Sequence, residues 1–300
     1  YKVAEQDPIK YHGVTPFNIT TGASEKPKSP SNLTYTNVFS RWITNAATKD
    51  SNFVAITPAM REGSGLVEFE EQFPDRFFDV GIAEQHSVTL AAGLAMGGLK
   101  PIVAIYSTFL QRAFDQLVHD VNLQNLDVMF AIDRAGLVGA DGETHHGIYD
   151  ISFMRILPKI VLMTPSDEKE LLLMLNTGLH YKGPVAVRYP RGNTQSSDMN
   201  MTDNNIPIGK SRIINKGEKI AILAFGPLIH DVVEISNKLS LTLVDMRFAK
   251  PIDKDRIDEL SQTHQHLITI EDNVISGGAG SSINEYLVEK GYEIDITNFG

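Results

Sequence analysis

Residues 78–98 read FDVGIAEQHSVTLAAGLAMGG. The apolar, β-compatible run from Arg76 to Val80 stops at Gly81, and a small-residue pattern with helical character continues from Ala83 to Met96. The stretch predicts a strand, a tight turn and a helix. Glu84 is the first polar side chain of that helix, following Ile82 and Ala83, so its carboxylate falls where strand gives way to helix. In an open parallel sheet, ligands collect at that edge. Taken alone, Glu84 is also the ordinary acid that the positive end of a helix favours.

Its neighbours in the pattern give it company. The next strand, Pro101 to Ile105, ends in Tyr106-Ser107-Thr108-Phe109-Leu110-Gln111-Arg112, which brings two aromatics and a guanidinium to the same edge. The strand from Asp127 to Ile132 runs into Asp133-Arg134-Ala135-Gly136 and the loop Gly139-Ala140-Asp141-Gly142-Glu143-Thr144-His145-His146-Gly147. Three successive strand ends therefore carry an acid, an aromatic pair and a polar loop.

Outward from this centre the chain alternates strands and helices. Residues 1–32 show no periodicity and are rich in Pro, Lys, Ser, Thr and Gly, so they read as a linker or an arm on a neighbour. Within it, His12 beside Tyr11 reads as packing from the residues alone. Asn32 or Thr34 can cap a helix running to about Thr48, with Val38, Phe39, Trp42, Ile43 and Ala46 on one face. Strands at 54–56, 102–105, 128–132, 160–163 and 185–188, with helices at 108–121 and 167–179, predict a parallel sheet covered on both faces in a domain spanning 33–192. A polar linker, 193–209, leads to a smaller α/β domain, 210–300, with strands near 220–224, 241–244, 267–270 and 294–296. The cluster Gly277-Gly278-Ala279-Gly280 matches neither the dinucleotide fingerprint nor a Walker loop, and reads as close helix packing.

Composition narrows the function classes. Three hundred residues, 42% of them hydrophobic, suffice for one large core or two moderate ones. A formal net charge of −10 argues against nucleic acid or an anionic membrane as partner, and no apolar run reaches membrane-spanning length. The absence of cysteine excludes disulfides, thiolate metal sites and thiol nucleophiles, and fits an intracellular protein. Arg112, Arg134 and Arg191 all fall at strand-to-loop junctions, where guanidinium groups can give a phosphate bidentate, charge-assisted bonds. Asp141 and His145 share a glycine-flanked loop, where a carboxylate can orient an imidazole for proton transfer or for gripping a carboxylate or hydroxyl. Adjacent His145 and His146 lack a second ligand set at metal-site spacing, so no metal is expected from this chain.

The strings DVGIAEQH (79–86), YSTFLQRAFDQ (106–116), DRAGLVGADGETHHG (133–147), MTPSDE (163–168) and VRYPRGN (187–193) together resemble the 1-deoxy-D-xylulose-5-phosphate synthases, thiamine-diphosphate enzymes of the transketolase superfamily. The resemblance covers nearly the whole chain. It implies two α/β domains, pyrimidine-binding and C-terminal, in a bacterial cytoplasmic homodimer, a plastid enzyme being the alternative. It implies condensation of pyruvate with D-glyceraldehyde 3-phosphate, with loss of carbon dioxide, to 1-deoxy-D-xylulose 5-phosphate. Glu84 then matches the acid that hydrogen-bonds the cofactor's pyrimidine N1′, a task helped by an apolar turn, because desolvation favours the protonated carboxyl. Tyr106 and Phe109 become stacking walls for the flat pyrimidine, although ordinary core packing accounts for them equally well. Tyr1 and His12 match an aromatic and a histidine where the family's arm passes the active site, and Arg134 and Arg191 match arginines associated with the acceptor phosphate.

One departure accompanies the resemblance. The family binds the diphosphate and Mg²⁺ through G-D-G followed some thirty residues later by Asn, in a preceding domain, and Ala140-Asp141-Gly142 is neither that motif nor that loop. The expectation is a chain that holds the pyrimidine half of a site and needs an N-terminal diphosphate-binding domain. Two competing readings are a β subunit of a 2-oxo acid dehydrogenase or split transketolase, and a non-catalytic α/β interaction module.

Overall fold

Thr34 opens the first long helix, Tyr35–Lys49. Its hydroxyl accepts from the Asn37 amide while the Asn37 side chain takes the Thr34 amide, a reciprocal cap that satisfies two otherwise orphaned donors. Of the two expected caps Thr34 is the one used; Asn32 lies outside the described residues, which in this computed structural model are 2–14, 16–20, 33–196 and 199–300. The chain then lays down β1 (Phe53–Thr57), β2 (Phe77–Asp79), β3 (Lys100–Tyr106), β4 (Met129–Asp133), β5 (Val161–Met163) and β6 (Val185–Arg188). The second unit supplies β7 (Arg212–Asn215), β8 (Ile220–Ala224), β9 (Thr242–Asp245), β10 (Phe248–Lys250), β11 (His266–Ile270) and β12 (Asp295–Phe299).

These form a seven-stranded sheet, ordered β10-β5-β6-β4-β3-β1-β2, and a five-stranded sheet, ordered β12-β11-β8-β9-β7. Both are parallel except at one edge. β7 runs antiparallel to β9, and β10 leaves the second unit to pair antiparallel with β5, Phe248 opposite Met163. The expected two parallel-sheet units are present, each with one antiparallel strand added at an edge: both extra strands are three or four residues long and made by long-range pairing, which leaves no periodic mark in the sequence.

Alternate residues of the first sheet enter different cores. Ala55, Ile102 and Ala104 pack with Trp42 and Phe39 of the Tyr35–Lys49 helix and with Leu171 and Leu175 of the Glu168–His180 helix. Ile56, Val103 and Ile105 face the other way, into a core that continues through Leu117, Met154, Phe225 and Val244 to Ile283 of the Ala279–Lys290 helix. A single apolar mass thus runs from the first unit into the second.

Two segments differ from expectation. The single helix anticipated over 108–121 is interrupted, with α-turns at Ser107–Leu110 and Phe114–Gln116, a tighter turn at Gln111–Ala113 and a wider one at Leu117–Asn122. Such changes of pitch re-aim side chains, and Arg112 sits in the tight turn. The arm, read as linker, forms two short helices, Lys2–Gln6 and Pro8–His12. The glycine cluster does pack closely. A Cβ at Gly278 would overlap the Glu271 carboxylate, whose oxygens accept from the amides of Ala279 and Gly280 at 2.7 and 2.8 Å and so cap the last helix.

Candidate active site

The ends of β1, β2, β3 and β4 converge at one edge of the large sheet. Asp79, closing β2, accepts from the amides of Ala59 and Gly81, both at 2.9 Å, and ties the loop after β1 to the turn before the Glu84–Met96 helix. Glu84 begins that helix and is 3% exposed. Ile82, in the turn ahead of it, is 85% exposed and so does not cover the acid. The carboxylate instead accepts from Arg112 Nη1 at 3.1 Å, and the Arg112 side chain is 57% exposed. Ion pairing has replaced the expected hydrophobic surroundings on this side of the acid.

From Arg112 a series of ring contacts leads inward. Its guanidinium carbon is 5.6 Å from the Phe109 centroid, Phe109 stacks on Tyr106 at 5.4 Å and 12°, and the His145 ring meets Phe109 edge-on at 5.5 Å. Over the Tyr106 ring, at 4.3 Å, lies the guanidinium carbon of Arg134. Burial pushes the Tyr106 phenol up to about 12, so it stays protonated at neutral pH.

A cleft of about 630 Å³ opens beside these groups. Its walls include His12 with Pro8 and Ile9 from the arm, Ala59, Met60, Glu62 and Gly63 after β1, and Tyr106, Phe109, Arg134, Asp141 and His145. The structure therefore brings six of the expected residues together, and His12, read as packing from its neighbours alone, faces the cleft. Glu84, Arg112 and Arg191 stand outside the lining, the first two joined to it through Phe109 and the third through Asp141. Tyr1 lies outside the described residues.

The Asp141 carboxylate does not orient His145. Its Oδ1 is 3.1 Å from Arg191 Nη1 and its Oδ2 is 3.9 Å from Arg134 Nε, so it sits between two guanidinium groups. His145 Nδ1 is 3.0 Å from the Thr144 hydroxyl, while His146 turns into the loop, its Nδ1 accepting from the Val138 amide at 3.2 Å. Two guanidinium groups within reach claim the carboxylate through charge-assisted contacts. Among the described residues no group of three His, Asp or Glu is placed to hold a metal, and no helix is long and apolar enough to cross a membrane.

Sequence reasoning passed over several contributors. Met60, Glu62 and Gly63 belong to the loop after β1, another strand end at the same edge, and the turn-rich run Glu62-Gly63-Ser64-Gly65 was the available signal. Asp133 and Thr36 lie beneath Arg134 and gave no signal, being a strand-end acid and a helix threonine 97 residues apart.

Residues 31–196 match the family model of the transketolase pyrimidine binding domain, and residues 209–300 match that of the transketolase C-terminal domain. The chain belongs to the transketolase family. Within it, the chain is 56% identical over 300 residues to the 1-deoxy-D-xylulose-5-phosphate synthase of Haemophilus influenzae and 52% identical over 301 residues to that of Pectobacterium atrosepticum. All of this chain is covered in both comparisons, and 48% of each relative, so it spans about half the length of the curated relatives it matches. Among solved structures, a split-gene transketolase described as an inactive β4 tetramer superimposes with a TM-score of 0.78 at 25% identity, over 89% of either chain. The transketolase of Campylobacter jejuni superimposes with a TM-score of 0.73 at 15% identity, over 91% of this chain and 43% of its own, a likeness of fold. Six of the seven strands of the large sheet, β1 to β6, lie within the residues matched by the pyrimidine binding domain model.

Proposed function

We propose that this chain is the pyrimidine-binding and C-terminal part of a 1-deoxy-D-xylulose-5-phosphate synthase, joining pyruvate to D-glyceraldehyde 3-phosphate with release of carbon dioxide. The observation that carries the proposal is the run of contacts at one sheet edge: a buried acid, a stacked aromatic pair and a pair of guanidinium groups, around one cleft. The 56% identity to the Haemophilus influenzae synthase supports the choice of reaction.

The residues present fit thiamine diphosphate. Glu84 offers a sheltered carboxyl whose partner, Arg112, is half in solvent and free to yield, and Tyr106 and Phe109 offer a flat aromatic wall. Bound there, the cofactor supplies the carbon nucleophile and electron sink of the reaction. Glu84 holds a proton at the pyrimidine ring nitrogen, and Phe109 and Tyr106 fix the plane of the ring. His145 and His12, on the cleft wall, hold or move protons at substrate oxygens. Arg134 and Arg191 receive the acceptor's phosphate, Asp141 being their resting counter-charge. The diphosphate and Mg²⁺ would be held by an N-terminal domain, in a homodimer. We place the division between units at 193–209, with 33–192 on the cofactor side.

A second reading, a separately encoded subunit of split-transketolase type, is favoured by the superposition over 89% of both chains. Product identity separates the two. Combined with its diphosphate-binding half, thiamine diphosphate and Mg²⁺, the chain should form 1-deoxy-D-xylulose 5-phosphate from pyruvate and D-glyceraldehyde 3-phosphate. Ketol transfer between sugar phosphates without use of pyruvate would overturn the synthase reading. Absence of any cofactor-dependent thermal stabilisation would leave a non-catalytic module.

A further inference from the structure

Behind the cleft, Asp133 closes β4 with its side chain wholly buried, and it is absent from the cleft lining, as is Thr36. Two of its three hydrogen bonds come from the next residue, and the third comes from Thr36. Oδ1 accepts from the Arg134 backbone amide at 2.7 Å, and Oδ2 accepts from Arg134 Nη1 at 2.8 Å and from the Thr36 hydroxyl at 2.7 Å. Arg134 Nη1 also donates to the Gly63 carbonyl at 2.8 Å. Arg134 itself has a φ of +59°, a conformation that a side chain with a Cβ adopts at a cost and keeps when neighbours over-determine it. One carboxylate thus holds both the strained backbone and one end of the guanidinium, while the Tyr106 ring supports its face.

The opposite end is left uncommitted. Arg134 Nε is buried and donates no hydrogen bond, its nearest acid being Asp141 Oδ2 at 3.9 Å. A guanidinium pinned at Nη1 presents its remaining N–H groups in a fixed fork, the geometry that matches phosphate oxygens. A long side chain fixed beforehand loses less freedom on binding than a loose one.

We propose that Asp133, assisted by Thr36, is the positioning residue that aims Arg134 at the acceptor's phosphate. This rests on the reading of Arg134 as a phosphate ligand, and the experiment separates the two. In the holoenzyme, KM and kcat are measured for D-glyceraldehyde 3-phosphate and for unphosphorylated D-glyceraldehyde in wild type, Asp133→Asn, Thr36→Val, Thr36→Ser and Arg134→Ala. A lost positioning contact raises KM for the phosphorylated acceptor about tenfold in Asp133→Asn and about threefold in Thr36→Val, leaving the unphosphorylated acceptor and pyruvate within about twofold. Thr36→Ser restores the wild-type preference. If Arg134→Ala leaves the preference for the phosphorylated acceptor intact, the ligand reading fails and the positioning role with it. If Arg134→Ala abolishes that preference while Asp133→Asn and Thr36→Val keep it, only the positioning role is overturned. Should Asp133→Asn fold poorly, Thr36→Val, which removes one half-buried hydroxyl, decides. Equal losses for both acceptors in every variant would mark Asp133 as a structural counter-ion and overturn the proposal.

Discussion

Glu84 was located by sequence pattern, yet the group that faces it, Arg112, is 28 residues away on the other side of β3, and that pairing is a product of folding. The same limit applies at Asp141. Its loop and its proximity to His145 were legible, but the two guanidinium groups that claim its carboxylate come from the residue just after β4 and from the segment after β6. A residue's address can be read from periodicity and turn signals, whereas its partner is set by which charges the fold brings within a few ångströms. At this scale the central test is Glu84→Ala. Arg112 is more than half exposed and remains solvated when its partner is removed, so the melting temperature should change by no more than a few degrees. Deuterium exchange at the cofactor's thiazolium C2, followed by NMR in the holoenzyme, should slow by about 10²–10⁴-fold, the range for loss of a positioned proton-transfer partner. Exchange at the wild-type rate would remove Glu84 from that role.

Elements were legible where they are long and periodic. The Tyr35–Lys49 and Glu168–His180 helices and the central strands fall within a residue or two of expectation, because each has apolar positions at its own period and a cap or turn at its ends. The interrupted segment after β3 was not legible. Leu110, Ala113, Leu117 and Val121 keep a helical spacing of buried positions, and nothing in that spacing records where the pitch tightens or widens. The loop from 134 to 147 has its own architecture. Gly136 and Gly147 exchange two hydrogen bonds of 2.8 Å, closing its base, and Asp272 of the second unit packs against Gly136. Gly136 has a φ of +75°, and a Cβ there would overlap the Asp272 side chain. Gly136→Ala should therefore cost about 1–3 kcal/mol in urea unfolding, combining the left-handed conformation with the lost space. It should also raise KM for the phosphorylated acceptor, as Asp141 and Arg134 shift with the loop.

Across the whole molecule, two α/β layers were legible and their union was not. Arg188, at the end of β6, binds Asp150 at 2.8 Å and Asp272 of the second unit at 2.5 Å. Glu170 of the first unit holds Arg247 at 2.7 Å and Arg212 at 3.2 Å. Burial dominates two acids in or beside these ties, Asp245 and Glu271, and also Asp133 behind the cleft. It pushes Asp245 up to about 6, Asp133 up to about 6 and Glu271 up to about 7, against the amide donations to Glu271 and the arginines near all three. An acid whose pKa is higher folded than unfolded holds its proton in the native state over that interval, so its contribution is full below the unfolded value and is lost as pH rises through the folded one. For Glu271 that window runs from about 4.5 to about 7. Unfolding free energy measured in urea should accordingly show a falling component across it, and Glu271→Gln, which removes the titration, should flatten the decline. An identical pH profile in wild type and variant would refute this account of Glu271.

β10 binds the future of one unit to the other. Three residues of the second unit, Phe248–Lys250, complete the outer border of the first unit's sheet against β5. A polypeptide ending at residue 196 would therefore display the bare amide and carbonyl row of β5, a template for strand-to-strand stacking between molecules. It should precipitate when produced alone and stay dispersed when residues 199–300 are produced beside it. The cofactor half of this protein is, in that sense, a guest that borrows its last border from its neighbour, and swapping C-terminal units between relatives will succeed only where that three-residue border is carried over in register.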